Sequence, residues 1–390
     1  MKNLYIFIYL IALLSICCSC THNTVKNEFY QKLKNKCSIQ YVGKKEIPVD
    51  ENVSISTLYI QYIDDEDLLS IYNAPNNCIY FFDYNQCAYR NQMCFEKEGS
   101  NGVGIIQGYY FHNKDSVFVY NYNTQTIYLT DVTSRVIWKK FLPIRELQSS
   151  DFIPSFPYLQ TNSPMVYINQ KIVMGGFGTT ETTAETATNR PVTTIYDFKC
   201  DSVFLANNYP EQYQLYNWGG GFYRMPYFSV NKEQKNIVLS FPHDHNLYVY
   251  SLSDTTRTPY YAGSNEIKKI DAYYEKKELY DHNDQNRVRD WFFSISTYRS
   301  VLYDKYRNLY YRLACLPESD KLKKFTSGTQ PIIVIVLDEN FNYIGEDRLP
   351  DDIDLRYTNS FVTKDGLNMQ VLTDNDDLMT FYQFKVDIHE

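Results

Sequence analysis

His243, Asp244 and His245 stand at consecutive positions in SFPHDHNLYVY (240–250). Imidazole, carboxylate and imidazole side by side are groups that ligate metal ions or move protons near neutral pH. The same trio also fits a solvated turn, because LYVY follows it directly and reads as a strand. Just upstream, NWGGGFYRMPYF (217–228) sets three glycines beside Trp218, Tyr223 and Arg224. Glycine lets a backbone come close to a ligand or a neighbour. Two aromatic rings and a guanidinium then form a platform that stacks on a sugar ring or grips a carboxylate, although packing between structural units employs the same rings. Downstream, DHNDQNRVRDW (281–291) contributes Asp290 and Trp291 to the set.

Other chemistry is weaker. DHNDQNRVRDW and TDNDD (373–377) approach the composition of calcium loops without the spacing of an EF-hand. GGFG (175–178) lacks the lysine and the strand-loop-helix setting of a phosphate cradle. No nucleophile-elbow, zinc-protease or Walker pattern occurs, no cysteine spacing matches a zinc site, and no cofactor is expected.

The N-terminal run LLSICCSC (13–20) contains a C-x-x-C, but its setting is that of an address label. Lys2 is followed by sixteen uncharged residues, Leu4–Ser19, too few for a membrane-spanning helix and suited to a secretory signal peptide. Cys17-Cys18-Ser19-Cys20 resembles a bacterial lipobox, with Cys20 the lipidated residue and Cys17 in place of the usual leucine. The expected organisation is a signal peptide over 1–19, a lipidated tether over 20–36 and a folded domain over 37–390. Removing residues 1–19 leaves 37 basic against 46 acidic residues, a charge near −9. Such a chain, without long basic runs, is unsuited to nucleic acid. Cys37, Cys78, Cys87, Cys94, Cys200 and Cys315 allow 15 complete pairings. Three of them crowd one predicted hairpin, where a local bridge is an option beside buried free thiols.

The elements that must position these groups are strands. The sequence holds 38 tyrosines and 23 phenylalanines and almost no helical periodicity, so it reads as all-β. One unit recurs: strand, tight turn, apolar strand, connection, a strand often closing on Asp, turn, strand. Its third strands are CIYFFD (78–83), TIYLTD (126–131), VTTIYDF (192–198), NLYVYS (246–251), PIIVIVLD (331–338) and LMTFYQF (378–384). The sixth unit ends without a fourth strand, while CSIQYVGKKEIPV (37–49) stands alone near the N-terminus. Adding one to the other closes a ring without an open edge. The expected fold is therefore a six-bladed β-propeller whose N-terminal strand completes the last blade.

The long excursions 143–160, 175–192, 205–222, 262–292 and 316–330 all join either second to third strands or one blade to the next. In a propeller those connections emerge on one face, which makes it the expected binding face. Within it, GGFGTTETTAETATNRP (175–191) reads as a polar loop.

Together the lipobox, NWGGGFYRMPYFSVN and SFPHDHNLYVYS resemble lipoproteins of Bacteroidetes in a domain-of-unknown-function family allied to six-bladed, TolB-like propellers. That resemblance implies a cell-envelope propeller and transfers no catalytic residue. Surface-exported lipoproteins of that phylum carry acidic residues after the lipidated cysteine, and THNTVK (21–26) has none, which points to the periplasmic side. Asp254-Thr255-Thr256, Asp115-Ser116-Val117 and Asp201-Ser202-Val203 resemble the O-glycosylation sites of the phylum. The expected function is a membrane-anchored, non-catalytic binding or scaffold protein that docks an envelope protein, peptide or glycan through its loop-rich face. The alternative is a lactonase-like hydrolase with a metal or acid-base site drawn from His243, Asp244, His245, Asp290 or Arg224.

Overall fold

The computed structural model describes residues 23–149, 152–178, 190–273, 285–319 and 329–389. The signal peptide, Cys20, the threonine-rich part of 175–191 and residues 281–284 of the acidic stretch lie outside them. Six antiparallel sheets stand around an axis as the blades of a propeller. Blade one runs through Ile60–Ile63, Leu68–Asn73, Cys78–Asp83 and Ala88–Cys94. Blade two follows with Gly108–Asn113, Ser116–Asn121, Thr126–Thr130 and Val136–Phe141. The first strand of each blade lines the axis and the fourth forms the outer edge.

Burial follows position within a blade. The third strand of blade five, Ile332–Leu337 (IIVIVL), is buried at every residue because neighbouring blades cover both of its faces. The outer strand Val136–Phe141 alternates half-buried and exposed, as a strand with one covered face must. The resulting core is continuous around the ring, with the last blade packed on the fifth through Leu313, Val334 and Met369 and on the first through Leu69, Phe361 and Phe381.

Blade six consists of Asp354–Thr363, Gly366–Leu372 and Leu378–Ile388, and its fourth strand is Cys37–Pro48. The register runs antiparallel from Pro48 opposite Leu378 to Cys37 opposite Ile388, with a bulge between Tyr41 and Gly43. Ile47 and Met379 face each other in this pairing and are fully buried. The two ends of the domain thus share one sheet.

The residues expected to tether the domain are fastened to it from Asn23 onward. Thr24–Lys26 pairs with Lys269–Asp271 between blades four and five. Asn27 Nδ2 donates to the carbonyls of Ser264 and Ile267, both at 2.8 Å. Asn35 Nδ2 donates to Glu346 O at 2.8 Å, and Lys36 N–H reaches Ile344 O at 3.0 Å. This segment crosses the outer edge of the propeller from one face to the other before entering blade six.

Cys78 and Cys94 lie directly opposite in the register of blade one and form a disulfide. Cys37, Cys87, Cys200 and Cys315 are free thiols.

Candidate functional site

The connections that join second to third strands, or one blade to the next, share what is called here the loop face, and the remaining turns share the turn face. His243 sits on the loop face in blade four, between Asn236–Ser240 and Asn246–Ser251. Its ring is fully buried, stacked on Trp218 with centroids 4.5 Å apart and 5.8 Å from Trp291. The Tyr213 hydroxyl accepts from the His243 backbone N–H at 3.1 Å and shares a second hydrogen bond with Nδ1 at 3.2 Å. Burial, reinforced by the Arg299 and Arg224 guanidiniums, holds this ring far below the usual histidine pKa. Tyr223 joins the nest through Phe292, 4.8 Å away.

The neighbours of His243 turn elsewhere. Asp244 caps its own turn, accepting from Asn246 N–H at 2.9 Å and from the Tyr248 hydroxyl at 2.6 Å. Val25 O can only accept, so the proton of the neutral His245 ring sits on Nε2 and Nδ1 accepts from the Tyr298 hydroxyl at 2.8 Å. His245 Nε2 then donates to Val25 O at 3.3 Å, so this imidazole helps to hold the N-terminal segment. Burial first, with Arg312 adding to it, lowers its pKa to about 4. The trio does not converge on one point, and each side chain has a separate structural partner.

Arg312 explains why this connection is rigid. Its buried guanidinium donates to the carbonyls of Asp244 (2.8 Å), His245 (3.0 Å) and Ala262 (3.1 Å) and lies 3.8 Å from the Tyr298 ring centroid. Desolvation brings its pKa down to about 10, still protonated at neutral pH. Trp218 and Arg224, expected on an open platform, are buried instead, and burial lowers Arg224 to about 9. Trp291 lies on the helix Gln285–Ser294 and donates from Nε1 to Asp271 O at 3.1 Å. Asp290, on the same helix, points outward, 70 % exposed, beside Arg289.

The glycines of NWGGG serve this packing. Gly219 has φ +74°, and a β-carbon there would meet Val288 of the helix at 2.8 Å. Among the described residues, no cluster of three or more His, Cys, Asp or Glu is placed to hold a metal ion.

Open space lies at the axis. The inner strand of blade three is interrupted: Phe156–Pro157 and Val166–Ile168 are its two halves, and the residues between them cross the channel. Asn162 Nδ2 donates to Ser300 Oγ in blade five at 3.0 Å, while Asn162 O accepts from Phe228 N–H in blade four. Thr161 Oγ1 donates to Asn359 Oδ1 in blade six at 3.0 Å. This turn plugs the channel and becomes the floor of a cavity of about 360 Å³ that opens on the turn face.

All six blades line that cavity, with Ile60, Tyr110, Met165, Val230, Val301 and Val362 on its walls. At the rim, Lys305 pairs with Asp64, and Lys232 bonds the Tyr110 hydroxyl with its ammonium 5.1 Å from that ring's centroid. Glu233 stands beside them. The sequence offered one signal for this site: Thr161-Asn162-Ser163-Pro164 is a turn run inside an otherwise strand-like stretch.

The fold and the axial site define a six-bladed β-propeller. The chain belongs to the family described as a domain of unknown function, DUF4221, whose model matches residues 36–348. It is similar to the crystal structure of a DUF4221 member from Bacteroides vulgatus, with 18 % identity and a TM-score of 0.76 over 91 % of this chain and all of that one. A Bacteroides fragilis protein described as exported aligns over 91 % of this chain and 96 % of its own, with 10 % identity and a TM-score of 0.52. No curated protein matches the sequence.

Proposed function

We propose that this chain is a non-catalytic binding lipoprotein of the cell envelope, anchored through Cys20 on the periplasmic side of the outer membrane. Its ligand is the end of a peptide or glycan, held in the axial cavity. The observation that carries this reading is the cavity itself: six inner strands give it apolar walls, and Asp64, Lys232, Glu233 and Lys305 give it a rim of both charges. Such a site takes an apolar group and orients a polar one. The three groups of the His-Asp-His trio that would serve a hydrolase point to separate partners, His243 Nδ1 to Tyr213, His245 to Tyr298 and Val25, and Asp244 to Asn246 and Tyr248, and so do not converge on a substrate. An envelope setting is supported by the leader pattern, by the exported relative and by the Cys78–Cys94 disulfide, a bond of oxidising compartments.

Calorimetric titration of the purified domain with envelope-derived peptides and oligosaccharides tests this reading. Binding lost in Ser229→Trp, which fills the cavity, and kept in Phe222→Ser on the opposite face supports it. Binding that survives Ser229→Trp overturns it.

A further inference from the structure

The propeller has two faces, and the path of its N-terminal segment distinguishes them. Thr24–Lys26 is bound to Lys269–Asp271, which belongs to the connection between blades four and five and therefore to the loop face. Asn23 O accepts from Ala272 N–H at 2.9 Å, so the chain is fixed up to that residue. Only three residue steps separate Asn23 from Cys20, a reach of about 10 Å when fully extended. A lipid on Cys20 cannot lie farther than that from the point where the segment leaves the loop face.

A second observation falls on the same side. Among the described residues, and apart from Phe29 of the N-terminal segment, the exposed large apolar side chains in connections are Leu58, Ile105, Leu147, Leu215 and Phe222 on the loop face, against Tyr306 alone on the turn face. Apolar side chains that face a bilayer at this distance enter the headgroup boundary, where a hydrocarbon surface is preferred over water.

We infer that the loop face is seated on the lipid bilayer and that the axial cavity consequently opens away from the membrane. The occupant of the loop face is the lipid surface, and the attraction is apolar, because the chain without residues 1–19 carries a charge near −9 and gains nothing from anionic headgroups. This rests on the lipidation of Cys20 proposed above. It assigns the cavity to ligands arriving from the aqueous compartment.

The test uses the lipidated full-length protein in phosphatidylcholine vesicles containing a nitroxide lipid, in a Cys87→Ser, Cys200→Ser background. A bimane label is placed on Phe222→Cys or on Tyr306→Cys. Strong quenching with a blue-shifted emission at position 222 and neither at 306 is expected, unaffected by salt. Val25→Pro, which breaks the pairing with Ile270, should reduce the quenching at 222 while the protein still floats with the vesicles. Equal quenching at both positions, or quenching at 306 alone, in protein that floats overturns the orientation and leaves the anchor standing. A mass spectrum showing no acyl groups on Cys20 overturns both.

Discussion

On the loop face, Trp218, His243 and Trp291 lie stacked beneath a helix, and the guanidinium of Arg312 is consumed by backbone carbonyls. At the other end of the axis, ordinary valines and tyrosines of the inner strands surround about 360 Å³ of open space. The residue types with most chemical potential thus hold the scaffold, whereas those with least enclose the cavity. Reactivity belongs to a side chain only after its hydrogen bonds have been counted. A buried histidine with a tyrosine on Nδ1 and tryptophan on both sides is part of the core.

The sharpest way to break this contrast is to remove the centre of the nest. Trp218→Ala deletes a fully buried ring and should lower stability by about 3–5 kcal/mol in urea unfolding. A loss below about 1 kcal/mol would return Trp218 to the status of a free platform.

The next effect concerns charge under the N-terminal segment. Glu346 is buried there, its carbonyl bound by Asn35 and its carboxylate by Ser264 at 3.1 Å, and burial raises its pKa from 4.5 to about 7. An acid whose folded pKa is raised holds its proton longer when folded, so stability falls as pH climbs from about 4.5 to 7. Glu346→Gln should recover up to about 3 kcal/mol at pH 8 and flatten that slope. His245 works in the opposite sense. Its pKa is lowered from 6.5 to about 4, so stability falls as pH drops through that interval, and His245→Gln should remove the acid-side loss. Chemical denaturation from pH 4 to 8 separates the two, and parallel curves for both variants would show that neither group is linked to folding.

At the cavity the expected effects on folding are small and those on binding large. Ser229→Trp should change stability by no more than about 1 kcal/mol, since the indole enters open space, yet abolish ligand binding. Smallest of all, the Asp64–Lys305 pair at the partly exposed rim should show a coupling of about 0.5 kcal/mol in a double-mutant cycle with Asp64→Asn and Lys305→Met. A coupling of several kcal/mol would make the rim part of the scaffold too.

Much of the architecture is legible in the sequence itself. Strands such as CIYFFD and IIVIVL stand between neighbouring blades, and that double burial imposes continuous apolar sequence wherever it occurs. The missing fourth strand of the last unit and the orphan at 37–49 revealed the closure, because a sheet edge requires a partner. The cavity was hidden for the opposite reason. Its floor depends on Thr161 meeting Asn359 of blade six and Asn162 meeting Ser300 of blade five, contacts that no local pattern encodes. His243 was conspicuous as a residue type, but its burial depends on Trp218 and Trp291, supplied by two separate connections. The docking of Val25 on His245 joins residues 220 positions apart, and again leaves no signature in spacing.

Closing the ring with the N-terminal strand has a price in time. Cys37–Pro48 is made first, but its partner Leu378–Ile388 follows about 330 residues later. At roughly 5–20 residues per second, translation leaves that strand unmatched for something between a quarter of a minute and a minute. Throughout that interval it is a sticky ribbon, able to seize any passing β-edge, including its twin on another nascent chain. Whatever factors receive the nascent chain must therefore keep its earliest part single until the latest part arrives.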